Sequence, residues 1–249
     1  MVKPRSSFPT LPHRRVLLKI SGQALAGTDP SSQGISQEML EKLASEIAQV
    51  HALGIQISIV VGGGNIYRGV TGAEAHGIDR ATSDYMGMMA TIINALALQN
   101  AIEHANIPCR VMCAFPIEAI GETYIRRRAI THLEKGRIVI FAGGTGNPFF
   151  TTDTAAALRA SEMGCDLLLK ATKVNGVYSA DPLKDTKAVF HPTLSYDDIL
   201  TRNLGVMDAT AIALARENLI PVAIFSIYET GGFAKVIRGE GNFTLVKEN

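Results

Sequence analysis

The run Arg137-Ile138-Val139-Ile140-Phe141, entering Ala142-Gly143-Gly144-Thr145-Gly146-Asn147-Pro148-Phe149-Phe150-Thr151-Thr152-Asp153, decides the fold. Apolar, mostly β-branched residues leading into a glycine turn and then a helical pattern describe a strand, turn and helix in succession. Residues without a Cβ let backbone N–H groups come close to a phosphate. A helix that starts just beyond adds the positive end of its dipole. The same order occurs upstream, where Ile57–Val61 runs into Gly62-Gly63-Gly64-Asn65, and a third turn, Lys19-Ile20-Ser21-Gly22, closes the run Arg15–Ile20. One such turn is a weak signal, but three in one chain point to a site that holds more than one phosphate group.

Outward from these turns, short β-rich runs alternate with helical periodicity. This predicts an α/β fold, a three-layer α/β/α sandwich around a mostly parallel central sheet. Ser36 is placed to cap a helix from Gln37 to about Ala52, with Met39, Leu40, Leu43, Ile47 and Val50 on one face and Gly54 as its stop. From about Ala81 to Ala105 the pattern is helical and apolar on nearly every side, which predicts a helix inside the domain or at a subunit contact. Pro108–Cys113 reads as a strand, Glu122–Leu133 as a helix, Thr152–Met163 as a helix and Asp166–Lys170 as a strand. The stretch Lys173–Pro192 reads as loops around a short strand at Val177-Tyr178. Met207–Asn218 reads as a helix, and Pro221–Phe225 and Phe243–Val246 as strands. Residues 14–249 are expected to form one domain, preceded by a disordered extension over residues 1–13 with Pro4, Pro9 and Pro12.

The 249 residues are 47% hydrophobic and 19% charged, with a formal net charge of +1, so the chain carries no overall electrostatic footprint for nucleic acid and any anion site must be local. Arg126-Arg127-Arg128 reads as a solvated helix face, and the methionines at 86, 88 and 89 as packing. Cys109, Cys113 and Cys165 have neither zinc-finger spacing nor an even framework and read as buried free thiols in a reducing cytosol. The first fifteen residues lack the apolar stretch of a secretory signal, and no run approaches the roughly 20 residues that span a bilayer. A cytoplasmic protein with no membrane or nucleic-acid partner is expected. No two histidines stand at i, i+4, His191 reads as a loop residue, and no protein metal site is indicated.

The phosphate chemistry is not that of a Walker A loop or of G-x-G-x-x-G, since neither pattern occurs. Lys19 ends the first strand beside a turn of free amides; the plainer role for such a residue is a lysine snorkelling at a strand end. Arg68 follows the second turn, where it can grip a phosphate in bidentate fashion or stand as a solvated loop arginine. Asp153 opens a helix, where a carboxylate is favoured by the dipole whatever else it does.

Taken in order, Lys19-Ile20-Ser21-Gly22, Val61-Gly62-Gly63-Gly64-Asn65-Ile66-Tyr67-Arg68-Gly69, Asp84-Tyr85-Met86-Gly87-Met88, Gly144 to Asp153 and Lys170-Ala171-Thr172-Lys173-Val174-Asn175-Gly176-Val177-Tyr178-Ser179-Ala180-Asp181-Pro182 resemble the bacterial uridylate (UMP) kinases of the amino-acid-kinase fold. The likeness runs from about Arg14 to Val246, and its most specific part is Asn147 to Asp153. It implies transfer of the ATP γ-phosphate to UMP, giving ADP and UDP in pyrimidine nucleotide synthesis. It places ATP on Lys19, Ile20, Ser21, Gly22, Gly64, Arg68, Thr172, Tyr178 and Asp181. UMP falls on Gly63, Asp84, Thr145, Gly146, Asn147, Pro148, Phe149, Phe150, Thr151 and Thr152. Lys19, Arg68 and Asp153 become the catalytic set, with Asp153 orienting the phosphate-binding lysine. Mg²⁺ is expected to arrive with ATP, and the assembly to be a homo-oligomer, a hexamer by resemblance. Such chemistry needs charge neutralisation and positioning rather than a general base, because the attacking phosphate oxygen is already anionic.

The chain departs from this pattern at Gln23, where a carboxylate is usual, in the loop from Gly27 to Gly34 and at Asn175. The first two leave open whether GTP activates the protein, and the third is a mild change near the ATP pocket. Two other readings compete: a kinase of the same fold acting on a carbamate, carboxylate or phosphonate, and a sensor that binds UMP or UTP without turnover.

Overall fold

The computed structural model describes residues 14–27, 34–68, 77–180, 182, 184–185, 187–202 and 204–248. The expected extension over residues 1–13, Asp181 and most of the Gly27–Gly34 loop lie outside the described residues.

Continuous apolar runs bounded by glycine become buried parallel strands, because such strands have helices on both faces. Among the described residues the main sheet has nine strands in the order β4-β3-β5-β2-β1-β6-β10-β11-β9. These are β1 Arg15–Ile20, β2 Gln56–Val61, β3 Cys109–Cys113, β4 Glu122–Thr123, β5 Ile138–Ala142, β6 Leu167–Thr172, β9 Thr193–Ser195, β10 Val222–Ser226 and β11 Phe243–Lys247. Pairing is parallel throughout except between β10 and β11. A separate two-stranded ribbon joins β7, Val177–Tyr178, to β8, Phe190–His191. His191 therefore lies in a strand and not in a loop.

Alternation along the strands divides the core in two. Val16, Leu18 and Ile20 of β1 face one side with Leu25 of the short helix α1, Gly22–Leu25, with Leu40, Leu43 and Ile47 of helix α2, Gln37–His51, and with Ile92, Ala95 and Leu98 of α3, Arg80–His104. Leu17 faces the other side with Ala129 and Leu133 of α4, Arg126–Glu134, with Ala155, Ala156 and Ala160 of α5, Thr152–Met163, and with Ala211 and Ile212 of a helix over Ala209–Glu217. The result is the expected α/β/α arrangement. All three cysteines are free and buried, and burial raises the Cys109 and Cys165 thiols to about 12.

One further sequence expectation needs correction. The predicted helix Glu122–Leu133 is split, because Glu122 and Thr123 pair with Met112 and Cys113 as an edge strand and the helix begins only at Arg126. Helix α3, expected inside the domain or at a subunit contact, is open along one outer stripe in the single chain, where Tyr85, Met86, Met89 and Ile93 are between 39% and 50% exposed.

The glycine turns sit at the carboxyl ends of β1, β2 and β5, all at the same edge of the sheet. The chain leaves β1 for β2 on one side and later returns to β6 on the other, so the edge carries the crevice that such a switch in strand order creates. The first two turns pack backbone against backbone: a Cβ on Gly22 would fall 2.7 Å from Gly64 N and 2.8 Å from Gly62 O. Gly63 lies against α3, where a Cβ would meet Gly87 O at 2.7 Å and Ala90 Cβ at 2.9 Å. Gly63→Ala is expected to destabilise the protein by about 1–3 kcal/mol through overpacking. Urea unfolding checks this, with a lower midpoint at unchanged slope; an unaltered midpoint would show that α3 gives way freely.

Candidate active site

Strand register and a helix start build the charged centre. Lys19 and Lys170 are direct partners across β1 and β6, so they project from the same face of the sheet. Two like charges side by side repel. Asp153, at the N-terminus of α5, lies between them: Lys19 Nζ is 2.7 Å from Asp153 Oδ1, and Lys170 Nζ donates to Oδ2 at 2.6 Å. The Lys170 contact is a directed hydrogen bond. The Lys19 contact is ionic and off the hydrogen-bonding direction, and it is the charge attraction that counts there. Burial pushes the Asp153 carboxyl up, but Lys19 and Lys170 outweigh it and hold the group below the usual carboxylate range. Burial also lowers Lys170 from the ordinary lysine value, against the pull of Asp153. Lys170 Nζ further donates to the Val206 carbonyl. Lys170 has no role in the sequence-based site; its signal was a lone cation closing an apolar strand, Leu167-Leu168-Leu169-Lys170, in the same pattern as Leu17-Leu18-Lys19.

Two cavities share Arg68, and the larger of them reaches the two lysines. The larger, about 770 Å³, is lined by Lys19, Ser21, Gln23, Arg68, Lys170, Thr172, Lys173, Tyr178 and Arg202, and by no carboxylate among the described residues. The second, about 480 Å³, is lined by Gly63, Gly64, Tyr67, Arg68, Arg80, Asp84, Thr91, Thr145, Asn147, Phe150, Thr151 and Thr152. Arg68 lines both, and its Nε donates to Gly64 O at 3.3 Å. Gln23 Nε2 donates to the same carbonyl at 2.8 Å, so the departure at this position leaves an amide bridge between the first two turns.

The second cavity is closed by the loop after β5. Asp84 accepts the Phe149 N–H at 2.8 Å and pairs with Arg80 through Nε, at 3.0 Å to Oδ1 and 2.9 Å to Oδ2. This supports a left-handed backbone at Phe149, φ 72°, which is uncommon outside glycine. Thr151 caps α5 by accepting from Asp153 N, and its hydroxyl donates to Asp208. Asp208 also caps the Ala209–Glu217 helix through Ala211 N, so one carboxylate fastens two helix starts.

Most of the anticipated residues converge here, with exceptions. Ile20 points into the core with 0% exposure and can offer only backbone. Gly22 is packed beneath the second turn and does not line the larger cavity, and Gly64 lines the second cavity rather than the larger one. Gly146 and Pro148 are absent from the described lining of the second cavity, and Phe149 turns outward with 67% exposure. Asp153 lies behind the two lysines and lines neither cavity.

A family model described as "Amino acid kinase family" matches residues 14–226. A protein named uridylate kinase from Ehrlichia canis is 53% identical over 241 residues, covering 97% of this chain and 98% of that protein. Another so named, from Paramagnetospirillum magneticum, is 55% identical over 233 residues, covering 94% of this chain and 96% of that one. The crystal structure of UMP kinase from Bacillus anthracis superposes with a TM-score of 0.91 at 42% identity, covering 96% of this chain and 98% of that one. That of UMP kinase from Ureaplasma parvum gives 0.89 at 38%, covering 96% and 100%.

Proposed function

The chain belongs to the amino acid kinase family, and from that premise we propose that it transfers the γ-phosphate of ATP to UMP, giving ADP and UDP. The observation that carries the proposal is the pair of cavities meeting at Arg68 over glycine turns. The larger is lined by cations alone among its charged described residues, and the second is walled by the Thr145–Thr152 loop. ATP takes the larger cavity and UMP the second.

An oxygen of the UMP phosphate attacks the γ-phosphorus, the new P–O bond forms, and the bond to the β–γ bridging oxygen breaks with its electron pair leaving on ADP. No proton has to be removed first. The load on the protein is the negative charge brought together, met by Lys19, Lys170, Arg68 and the turn amides, with Asp153 holding the two lysines in place against their mutual repulsion. Mg²⁺ would be held by the nucleotide's own phosphates, where it neutralises charge. Among the described residues no group of three or more His, Cys, Asp or Glu side chains is placed to hold a metal, and the Asp153 oxygens face the lysines.

The outer stripe of α3, with Tyr85, Met86, Met89 and Ile93, is proposed as a contact between copies in a homo-oligomer, a hexamer by resemblance. Cytoplasmic residence is proposed too; no helix among the described residues is long and apolar enough to cross a membrane.

ADP release with Mg-ATP and a panel of UMP, CMP, dCMP, carbamate, a carboxylate and a phosphonate tests the reaction. UMP is expected to turn over fastest. A better acceptor would overturn the choice of UMP, and UMP binding without UDP formation would favour a sensor.

A further inference from the structure

The polar residues on the inner stripe of α3 have no part in the mechanism above, although they reach both glycine turns that form the second cavity. Asn94 has 0% exposure in an otherwise apolar stretch of helix. Burying an amide is costly unless each of its polar atoms is matched. Its Nδ2 donates to Gly62 O at 2.7 Å and to Asn65 Oδ1 at 2.7 Å, while Asn65 Nδ2 returns a bond to Asn94 Oδ1 at 3.1 Å and another to Gly34 O at 2.6 Å. The carbonyl of Gly62 can only accept, so the amide orientation is fixed by its partners.

Thr91, 3% exposed, stands one turn earlier on the same side. Its hydroxyl donates to Met88 O at 2.7 Å and accepts from the buried Gly143 N–H at 2.8 Å. Just N-terminal to these bonds, Gly63 lies against Gly87 O and Ala90 Cβ. One face of a single rigid helix thus holds the Gly62–Gly64 turn through Asn94 and the Gly143 turn through Thr91. A fully matched buried network of this kind admits one arrangement.

We infer that Thr91 and Asn94 are positioning residues that fix the two glycine turns against one another, Thr91 setting the acceptor turn and Asn94 the turn that Gln23 and Arg68 tie to the larger cavity. The inference rests on the assignment of ATP and UMP to the two cavities. It separates the residues by what they hold. The Gly143 turn leads into the loop that walls only the second cavity, so losing the Thr91 hydroxyl disturbs UMP alone. The Gly62–Gly64 turn lines the second cavity and carries the Gly64 carbonyl that Gln23 and Arg68, both in the wall of the larger cavity, grip, so losing the Asn94 donor disturbs both substrates.

Initial rates of the full chain are measured with Mg-ATP and UMP each varied, for the unaltered protein, Thr91→Val, Thr91→Ser and Asn94→Asp. Calorimetric titration with each nucleotide runs alongside. Thr91→Val keeps the shape but strands the Gly143 N–H, and is expected to raise KM for UMP about tenfold with KM for ATP within about twofold. Thr91→Ser keeps the hydroxyl and is expected to return KM for UMP to within about twofold of the unaltered protein. Asn94→Asp sets a carboxylate against two acceptor oxygens and is expected to raise both KM values about tenfold. The inference is overturned if Thr91→Val leaves KM for UMP unchanged, moves both KM values equally, or is not relieved by serine. Should Asn94→Asp fail to fold, the two Thr91 variants decide. If the unaltered chain binds both nucleotides but makes no UDP, the proposed reaction fails while the titrations still decide the roles of Thr91 and Asn94.

Discussion

Asp153→Asn is expected to lower kcat about 10²–10³-fold, the scale at which loss of one preorganised electrostatic contact acts. The change keeps the shape of the side chain and removes only its charge. Lys19 and Lys170, direct cross-strand partners, then face one another with nothing between them to offset the repulsion. Either they move apart or Lys170, whose proton is already held less tightly because of burial, becomes neutral. In both cases the phosphates lose a fixed cation. Removing one partner of a buried ionic group also costs about 3–5 kcal/mol of stability. A second readout separates charge from shape: an added anion can supply the missing negative charge, so ATP should raise the melting temperature of Asp153→Asn more than that of the unaltered protein. Equal ATP-induced shifts together with near-normal kcat would remove Asp153 from its place between the lysines.

Much of this centre was legible because its signals are local. Glycine after an apolar run marks a turn with free amides, and the runs Arg15–Ile20, Ile57–Val61 and Arg137–Phe141 became three adjacent strands whose turns share one edge. Asp153 could be placed at a helix start from Thr151-Thr152-Asp153 alone. What could not be read is what depends on register. Lys170 becomes Lys19's neighbour only through the parallel pairing of β1 with β6, across about 150 residues of chain that the sequence does not align. The same holds for Asn94 and Thr91, which look like ordinary interruptions of an apolar helix until the turns they hold are brought beside them.

The errors have the same origin. Glu122 and Thr123 carry a pattern that continues smoothly into the helix behind them, and only the presence of Met112 and Cys113 alongside draws them into the sheet. The apolar character of α3 points to a place inside the domain or at a subunit contact and does not choose between them; in the single chain its outer stripe meets solvent, which is why that stripe is offered as a contact between copies. Ile20 and Gly22 belong to a phosphate turn by sequence, yet their side-chain directions point into packing, Ile20 into the core and Gly22 onto the second turn. A motif identifies the backbone that meets the ligand and says little about where each Cβ goes.

Arg68→Ala is expected to lower kcat/KM about 10²–10³-fold, while Arg127→Ala stays within about twofold. Both arginines are exposed, so exposure does not distinguish them. Position does. Arg68 lines both cavities, and its Nε is tied to Gly64 O, which leaves the rest of the guanidinium free to reach phosphates on either side. An arginine that touches donor and acceptor together gains interaction as the transferring group moves between them, so its loss should fall on kcat more than on either KM. Arg68→Lys keeps the charge without the planar fork and is expected to recover only part of the rate. Arg127 lies in α4, whose first turn carries three adjacent arginines at the surface and lines neither cavity of the proposed site. Equal losses of kcat/KM in Arg68→Ala and Arg127→Ala, measured with Mg-ATP and UMP each varied, would detach Arg68 from the chemistry and with it the assignment of donor and acceptor to cavities that meet at this residue.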